Sequence, residues 1–127
     1  MTTGERALLF RLVLSPPLVP ERFTYPPSFT RFAKGALPNL TPWRFLCAEE
    51  PEYFVNGLRK RYPSRRLVPF ARRDDNDDVA CFDAADTSGD PRVLFIHDFA
   101  DPGWELRGTA ENFEHWLRVA VDESANG

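Results

Sequence analysis

Apolar residues close up into two short arms, Leu67 to Ala71 and Val79 to Phe82, on either side of a charged run, Arg72 to Asp78. On the way in, Val68 and Phe70 alternate with Leu67, Pro69 and Ala71; on the way out, Val79 and Cys81 alternate with Ala80 and Phe82. Each arm can therefore bury at least one face at the strand period of two. The run between them is turn chemistry. Asp74, Asp75, Asn76, Asp77 and Asp78 carry short side chains that bond their own backbone and tolerate a left-handed conformation, as a chain reversal requires. Leu67 to Asp83 therefore reads as a β-hairpin around which the remaining elements are arranged.

Before the hairpin, Ala7 to Leu14 (ALLFRLVL) is an apolar run of the length of a buried strand, and a short helix fits it equally well. Ser15 to Pro20 holds three prolines in six residues, which predicts an extended linker. Pro26 and Pro27 then open a helix to Lys34, with Phe29, Phe32 and Ala33 on one face and Gly35 as its stop. Asn39 to Pro42 is a turn and Trp43 to Cys47 a short strand. Glu49, Glu50 and Pro51 start a second helix, and Phe54, Leu58 and Tyr62 follow at i, i+4 and i+8. Its last turn holds Arg59, Lys60 and Arg61, and Pro63 ends it. Gly57 within it costs about 1 kcal/mol relative to alanine, which calls for a close approach there or a weak helix.

After the hairpin, Asp86 to Pro91 is a turn, and Arg92 to Phe99 (RVLFIHDF) is the strongest strand pattern in the chain, expected at the centre of the sheet. Trp104 to Leu106 suggests a last short strand. Thr109 caps a final helix to Asp122 with an apolar stripe of Phe113, Trp116, Leu117, Ala120 and Val121. Hairpin-spaced strands bounded by helices give an α+β fold with an antiparallel or mixed sheet of about five or six strands. Phe32, Phe70, Phe82, Phe95, Phe113, Trp116 and Leu117 are the expected core, and residues 1–6 and 123–127 the expected disordered ends.

Composition narrows what such a fold can do. At 127 residues the chain is one domain, able to bury roughly two-thirds of its unfolded surface without a disulfide framework or structural metal. Its two cysteines, Cys47 and Cys81, have no CxxC partner, and with no membrane-length apolar stretch or leader-like N-terminus the expected location is a reducing cytoplasm. Sixteen Lys and Arg against nineteen Asp and Glu leave a formal charge of −3, which argues against nucleic acid and toward a basic protein partner. No Gly-rich phosphate loop and no GxSxG occurs. His97 and Asp98 resemble the metal pair of HD-type phosphohydrolases, but the only further histidine is His115, on the polar side of a helix. Asp74 to Asp78 has the opening of a calcium loop, yet Val79 stands where glycine is required and Ala85 where the bidentate Glu belongs. No catalytic, cofactor-binding or metal-binding residue is assigned.

The LVPFA strand, the aspartate-rich turn, the CFD strand exit, the Val93 to Asp98 strand and the closing Phe113, Trp116, Leu117 helix together resemble the SUKH superfamily, which includes bacterial immunity proteins and a fungal cell-wall-synthesis regulator. The helix with Pro27, Phe29, Phe32 and Gly35 also matches, so the resemblance spans Tyr25 to Val121. The chain departs from the family pattern in having ALLFRLVL and a proline linker for the leading amphipathic helix, and Ala36 to Asn39 where an Asn-Gly pair is common. The resemblance implies a non-catalytic binding protein without cofactor or metal, one that neutralises a toxin, typically a nuclease or other nucleic-acid-modifying enzyme, by occupying its active face. A regulatory interaction module is the second reading, and a small enzyme or metal-binding protein the third. Since such a toxin needs a basic cleft, Asp74, Asp75, Asp77, Asp78, Asp83, Asp86 and Asp90, read as clustered near one edge, are the candidate partner-binding residues; the same charges also suit a solvated rim.

Overall fold

The computed structural model describes residues 12–14 and 18–126. In chain order its elements are α1 (Pro27–Ala33), β1 (Trp43–Phe45), α2 (Glu50–Arg61), β2 (Leu67–Arg73), β3 (Asp78–Asp83), β4 (Val93–His97), β5 (Leu106–Ala110) and α3 (Phe113–Asn126). The five strands form one antiparallel sheet in sequence order, β1-β2-β3-β4-β5. The fold is α+β, and the aspartate turn closes the β2–β3 hairpin. Of ALLFRLVL, residues 7–11 lie outside the described residues, as do 15–17 of the proline linker and 1–6 of the expected disordered lead; Leu12 and Leu14 are buried.

Both faces of the hairpin are buried, because its arms are apolar at nearly every position. On one face Phe70 and Phe82 stack with ring centroids 4.5 Å apart. Phe29 of α1 and Phe113 and Trp116 of α3 close over them edge-on, Trp116 at 4.9 Å from Phe70 and Phe29 at 5.4 Å from Phe82. On the other face Leu58 of α2 and Tyr62, the residue that ends it, cover Leu67, Val79, Cys81, Leu94 and Ile96. Pro69 cannot donate to a ladder, and the register shifts between Pro69 and Ala71, a bulge that absorbs it.

Several expectations change. Arg92 to Phe99 supplies the fourth strand, flanked on both sides but one step from the edge; the middle strand is β3. The last strand is Leu106–Ala110 rather than Trp104 to Leu106, and Trp104 stands 77 % exposed in the loop before it. Thr109 lies in that strand and cannot cap α3. Asn112 does so instead: its Oδ1 accepts from the His115 N–H at 2.9 Å, while His115 Nδ1 reaches back one residue beyond the cap and accepts from the Glu111 N–H at 3.1 Å. The helix continues past Asp122 to Asn126, and Glu123, expected in a disordered end, accepts from Trp43 Nε1 at 3.2 Å and from Arg73 Nη1 at 2.6 Å. In the α3 stripe Phe113, Trp116 and Ala120 are buried, Leu117 is half-buried and Val121 is 45 % exposed, because the helix presents a narrower face to the sheet than its sequence allows. Phe32 and Phe95, expected in the core, are likewise only partly buried against it.

Trp116→Ala should therefore lower stability by about 3–5 kcal/mol, and Val121→Ala on the same helix by no more than about 0.5 kcal/mol. Equilibrium denaturation of both variants measures the contrast; equal losses would mean the helix is docked by a different face.

Candidate functional site

Helix α2 carries acidic residues in its first turn and Arg59, Lys60 and Arg61 in its last, each complementing the helix dipole. Its C-terminal end also reaches across to the loop between β4 and β5. Arg61 forks onto Asp98, with Nε donating to Oδ1 at 2.6 Å and Nη2 to Oδ2 at 2.8 Å, and Asp98 is only 2 % exposed. Tyr62 Oη donates to the Ala100 carbonyl at 2.7 Å; burial, with the Asp98 charge adding, raises its pKa. Arg65 Nε donates to Glu105 Oε2, and the Gly103 N–H to Glu105 Oε1, both at 2.6 Å. Burial alone would raise the Glu105 pKa, but these two donors outweigh it and hold the carboxyl below its ordinary 4.5. Gly57 now has its reason: a Cβ there would lie 2.7 Å from Nη2 of Arg61, so the guanidinium lies across the helix backbone on its way to Asp98.

The anchored loop presents Phe99 in an uncommon state. Its φ is +66°, a left-handed conformation that costs a bulky residue on the order of 1 kcal/mol or more. The N–H of Phe99 donates to Asp98 Oδ1 at 2.9 Å, the Arg61 guanidinium lies 4.2 Å from its ring centroid, and the side chain is still 67 % exposed. Tyr53 of α2 is 72 % exposed. Phe99 and Tyr53 both line a cleft of roughly 140 Å³ together with Phe54, Arg72, Asp77 and Val79, with Asp78 and Asp98 also at its wall. Neither Phe99 nor Tyr53 stands out in the sequence: Tyr53 is off the stripe of Phe54, Leu58 and Tyr62, and Phe99 simply extends the apolar pattern of the β4 strand.

The seven candidate aspartates do not share one edge. Asp74, Asp75, Asp77 and Asp78 sit at the β2–β3 turn, whereas Asp83, Asp86 and Asp90 lie at the opposite end of β3, roughly 17 Å away by strand rise. This second group serves its own loop. Asp83 Oδ2 accepts from Arg92 Nε at 2.8 Å, Asp86 Oδ2 from the Arg92 N–H at 3.0 Å, and Asp90 Oδ2 from Asn112 Nδ2 at 3.0 Å. Ser88 above all, helped by the Arg92 backbone, holds the Asp86 carboxyl below its ordinary pKa against the opposing effect of burial. In the turn group Asp75 takes a bidentate fork from Arg73 at 2.8 and 2.9 Å, Asp74 lies 3.4 Å from Arg44 Nε, and Asp78 lies 2.7 Å from His97 Nδ1. Among the described residues only Asp77 of the seven has a carboxylate without a hydrogen bond or ion pair. The basic run Arg59 to Arg66 is also largely engaged: besides Arg61 and Arg65, Arg59 Nη2 donates to the Leu18 carbonyl at 2.7 Å and Arg66 Nη2 to that of Glu21 at 3.0 Å.

His97 therefore belongs to a cross-strand contact with Asp78, and Asp98 to α2. Cys81 is fully buried, which pushes its thiol pKa well up and makes it a poor nucleophile. Among the described residues no group of three or more His, Cys, Asp or Glu is arranged to hold a metal ion, and no helix is long and apolar enough to cross a membrane.

Two outcomes test the anchor. Gly57→Ala, worth about 1 kcal/mol of stabilisation in an ordinary helix interior, should gain little or nothing in the native chain because it displaces Arg61, and should recover that gain in an Arg61→Ala background; denaturant midpoints of the four proteins measure it. Glu105 has a folded pKa below 4.5, so its contribution is fully present above about pH 4.5 and is lost as pH falls through the lower folded value. The deficit in melting temperature of Glu105→Gln should accordingly be largest at neutral pH and shrink below pH 4.5.

The model of the SMI1 / KNR4 family (SUKH-1) matches residues 23–119. No curated protein and no solved structure matches the chain. The matched stretch takes in α1, all five strands, α2 with its loop anchor, and the first half of α3, so both the fold and the cleft lie within it. The chain belongs to the SMI1 / KNR4 (SUKH-1) family.

Proposed function

We propose that the protein is a non-catalytic binding domain of the immunity type, which neutralises a toxin acting on nucleic acid by covering its basic active face. SUKH domains include toxin immunity proteins, and their general mode is to bind a protein partner. The observation that carries the reading is Phe99: a large aromatic is kept exposed and in a left-handed conformation against two costs, and burial under a partner offsets both. Tyr53 beside it supplies a second aromatic of the type that dominates binding energy at protein interfaces. The acidic turn Asp74, Asp75, Asp77 and Asp78 adjoins the same cleft and suits a basic partner, speeding its approach. Asp83, Asp86 and Asp90 are committed to their loop, so the partner surface is centred on the turn.

The test is genetic first and kinetic second. A neighbouring reading frame should encode a secreted protein whose C-terminal domain is basic and nuclease-like, and co-expression with this protein should rescue cells from that domain. Replacing Asp74, Asp75, Asp77 and Asp78 by asparagine should slow association with the domain by roughly tenfold at low ionic strength and much less at high salt. A neighbourhood without such a toxin, or a toxin that kills in the presence of the protein, would end the reading.

A further inference from the structure

We infer that the cleft between Tyr53 and Phe99 receives a single basic side chain of the partner, an arginine, with Asp77 as its counter-ion. The inference rests on the reading of the protein as a binder of a basic partner, and gives that partner's anchor a place. Size comes first. At roughly 140 Å³ the cleft is well below the 300–1,000 Å³ of pockets that enclose small-molecule ligands, and suits one long side chain. Its lining holds exposed aromatics. Phe99 has one face covered by Arg61 at 4.2 Å and stays two-thirds exposed, and Tyr53 lines the same cleft, so a planar guanidinium entering it finds rings to stack on.

Charge gives the sign of the guest. The lining carries three carboxylates, Asp77, Asp78 and Asp98, against one guanidinium, Arg72. Asp98 is taken by Arg61 and Asp78 by His97, which leaves Asp77 as the lining carboxylate without a partner among the described residues. Arg72 opposes a cation, but its guanidinium is turned toward the Phe54 ring, 5.7 Å from the centroid, with Nε donating to the Arg73 carbonyl at 3.4 Å. An anionic guest would meet Asp77 and Asp78 with only that guanidinium in its favour. Asp77 is also held in place from behind, since its carbonyl accepts from the Asp98 N–H at 3.0 Å, tying the turn to the anchored loop.

The experiment uses the full chain and needs no toxin. A blocked Gly-Arg-Gly peptide, titrated through the millimolar range, should produce saturable amide shifts at Tyr53, Phe54, Asp77 and Phe99, and the Gly-Glu-Gly analogue should not. Asp77→Asn should weaken arginine-peptide binding about fivefold, the upper range for an exposed ion pair, while Asp90→Asn at the far end of the sheet leaves it unchanged. Phe99→Gly relieves the left-handed strain and removes the ring, so it should keep the native circular dichroism spectrum and lose the peptide. Absence of saturable shifts, equal response to the glutamate peptide, shifts centred on another surface, or unchanged affinity in Asp77→Asn would each overturn the inference. Peptide binding by a protein that rescues no cell would leave the cleft standing and end the toxin reading; rescue without peptide binding would do the reverse.

Discussion

Strand β3 is apolar on both faces, and most of the architecture follows from that. Val79 and Cys81 point one way and Ala80 and Phe82 the other, so neither face of the hairpin can be left to water. Burial of Phe82 requires α1 and α3 on one side, and burial of Val79 and Cys81 requires α2 on the other. A helix laid there brings its C-terminal turn against the chain leaving β4, and Arg61, Tyr62 and Arg65 bind that segment at three points. The cleft is thus a consequence of the core: one wall belongs to the helix that covers the second face, the other to the loop that this helix holds.

The electrostatics follow the same logic. Asp98 is buried and would be costly alone, so the Arg61 fork is a requirement of the packing as much as a contribution to it. Arg61 and Arg65 are paired with the Asp98 and Glu105 carboxylates, whereas Arg59 and Arg66 donate only to the carbonyls of Leu18 and Glu21 and keep their charge. The acidic turn is partly spent as well, on Arg44, Arg73 and His97. Under the proposed reading, the two exposed aromatics weigh more in recognition than net charge.

Membership of the SMI1 / KNR4 (SUKH-1) family gives the protein a fold whose members bind other proteins, and the proposed reading centres that contact on Phe99. A loop tied by ion pairs to a helix is held in one conformation, so a partner docking on it would spend little binding energy on ordering it.

What the sequence determined was local. The hairpin, the opening of α1 at its proline pair, the span of α2 between Pro51 and Pro63, and an antiparallel sheet all rest on periodicity and turn chemistry within a dozen residues, and they stand as read. The cap of α3 went to Asn112 because β5 extends through Thr109, which no local rule about Thr announces. The tertiary structure alone decided which charges are free. Asp98 meets Arg61 from 37 residues away, and Glu123 meets Trp43 from 80, so no spacing could tell that Asp77 is open or that Asp83 is not. It also decided that Phe99, one residue past a buried aspartate in an apolar strand pattern, would turn outward, since the backbone reversal that exposes it is held by a helix nearly forty residues earlier in the chain.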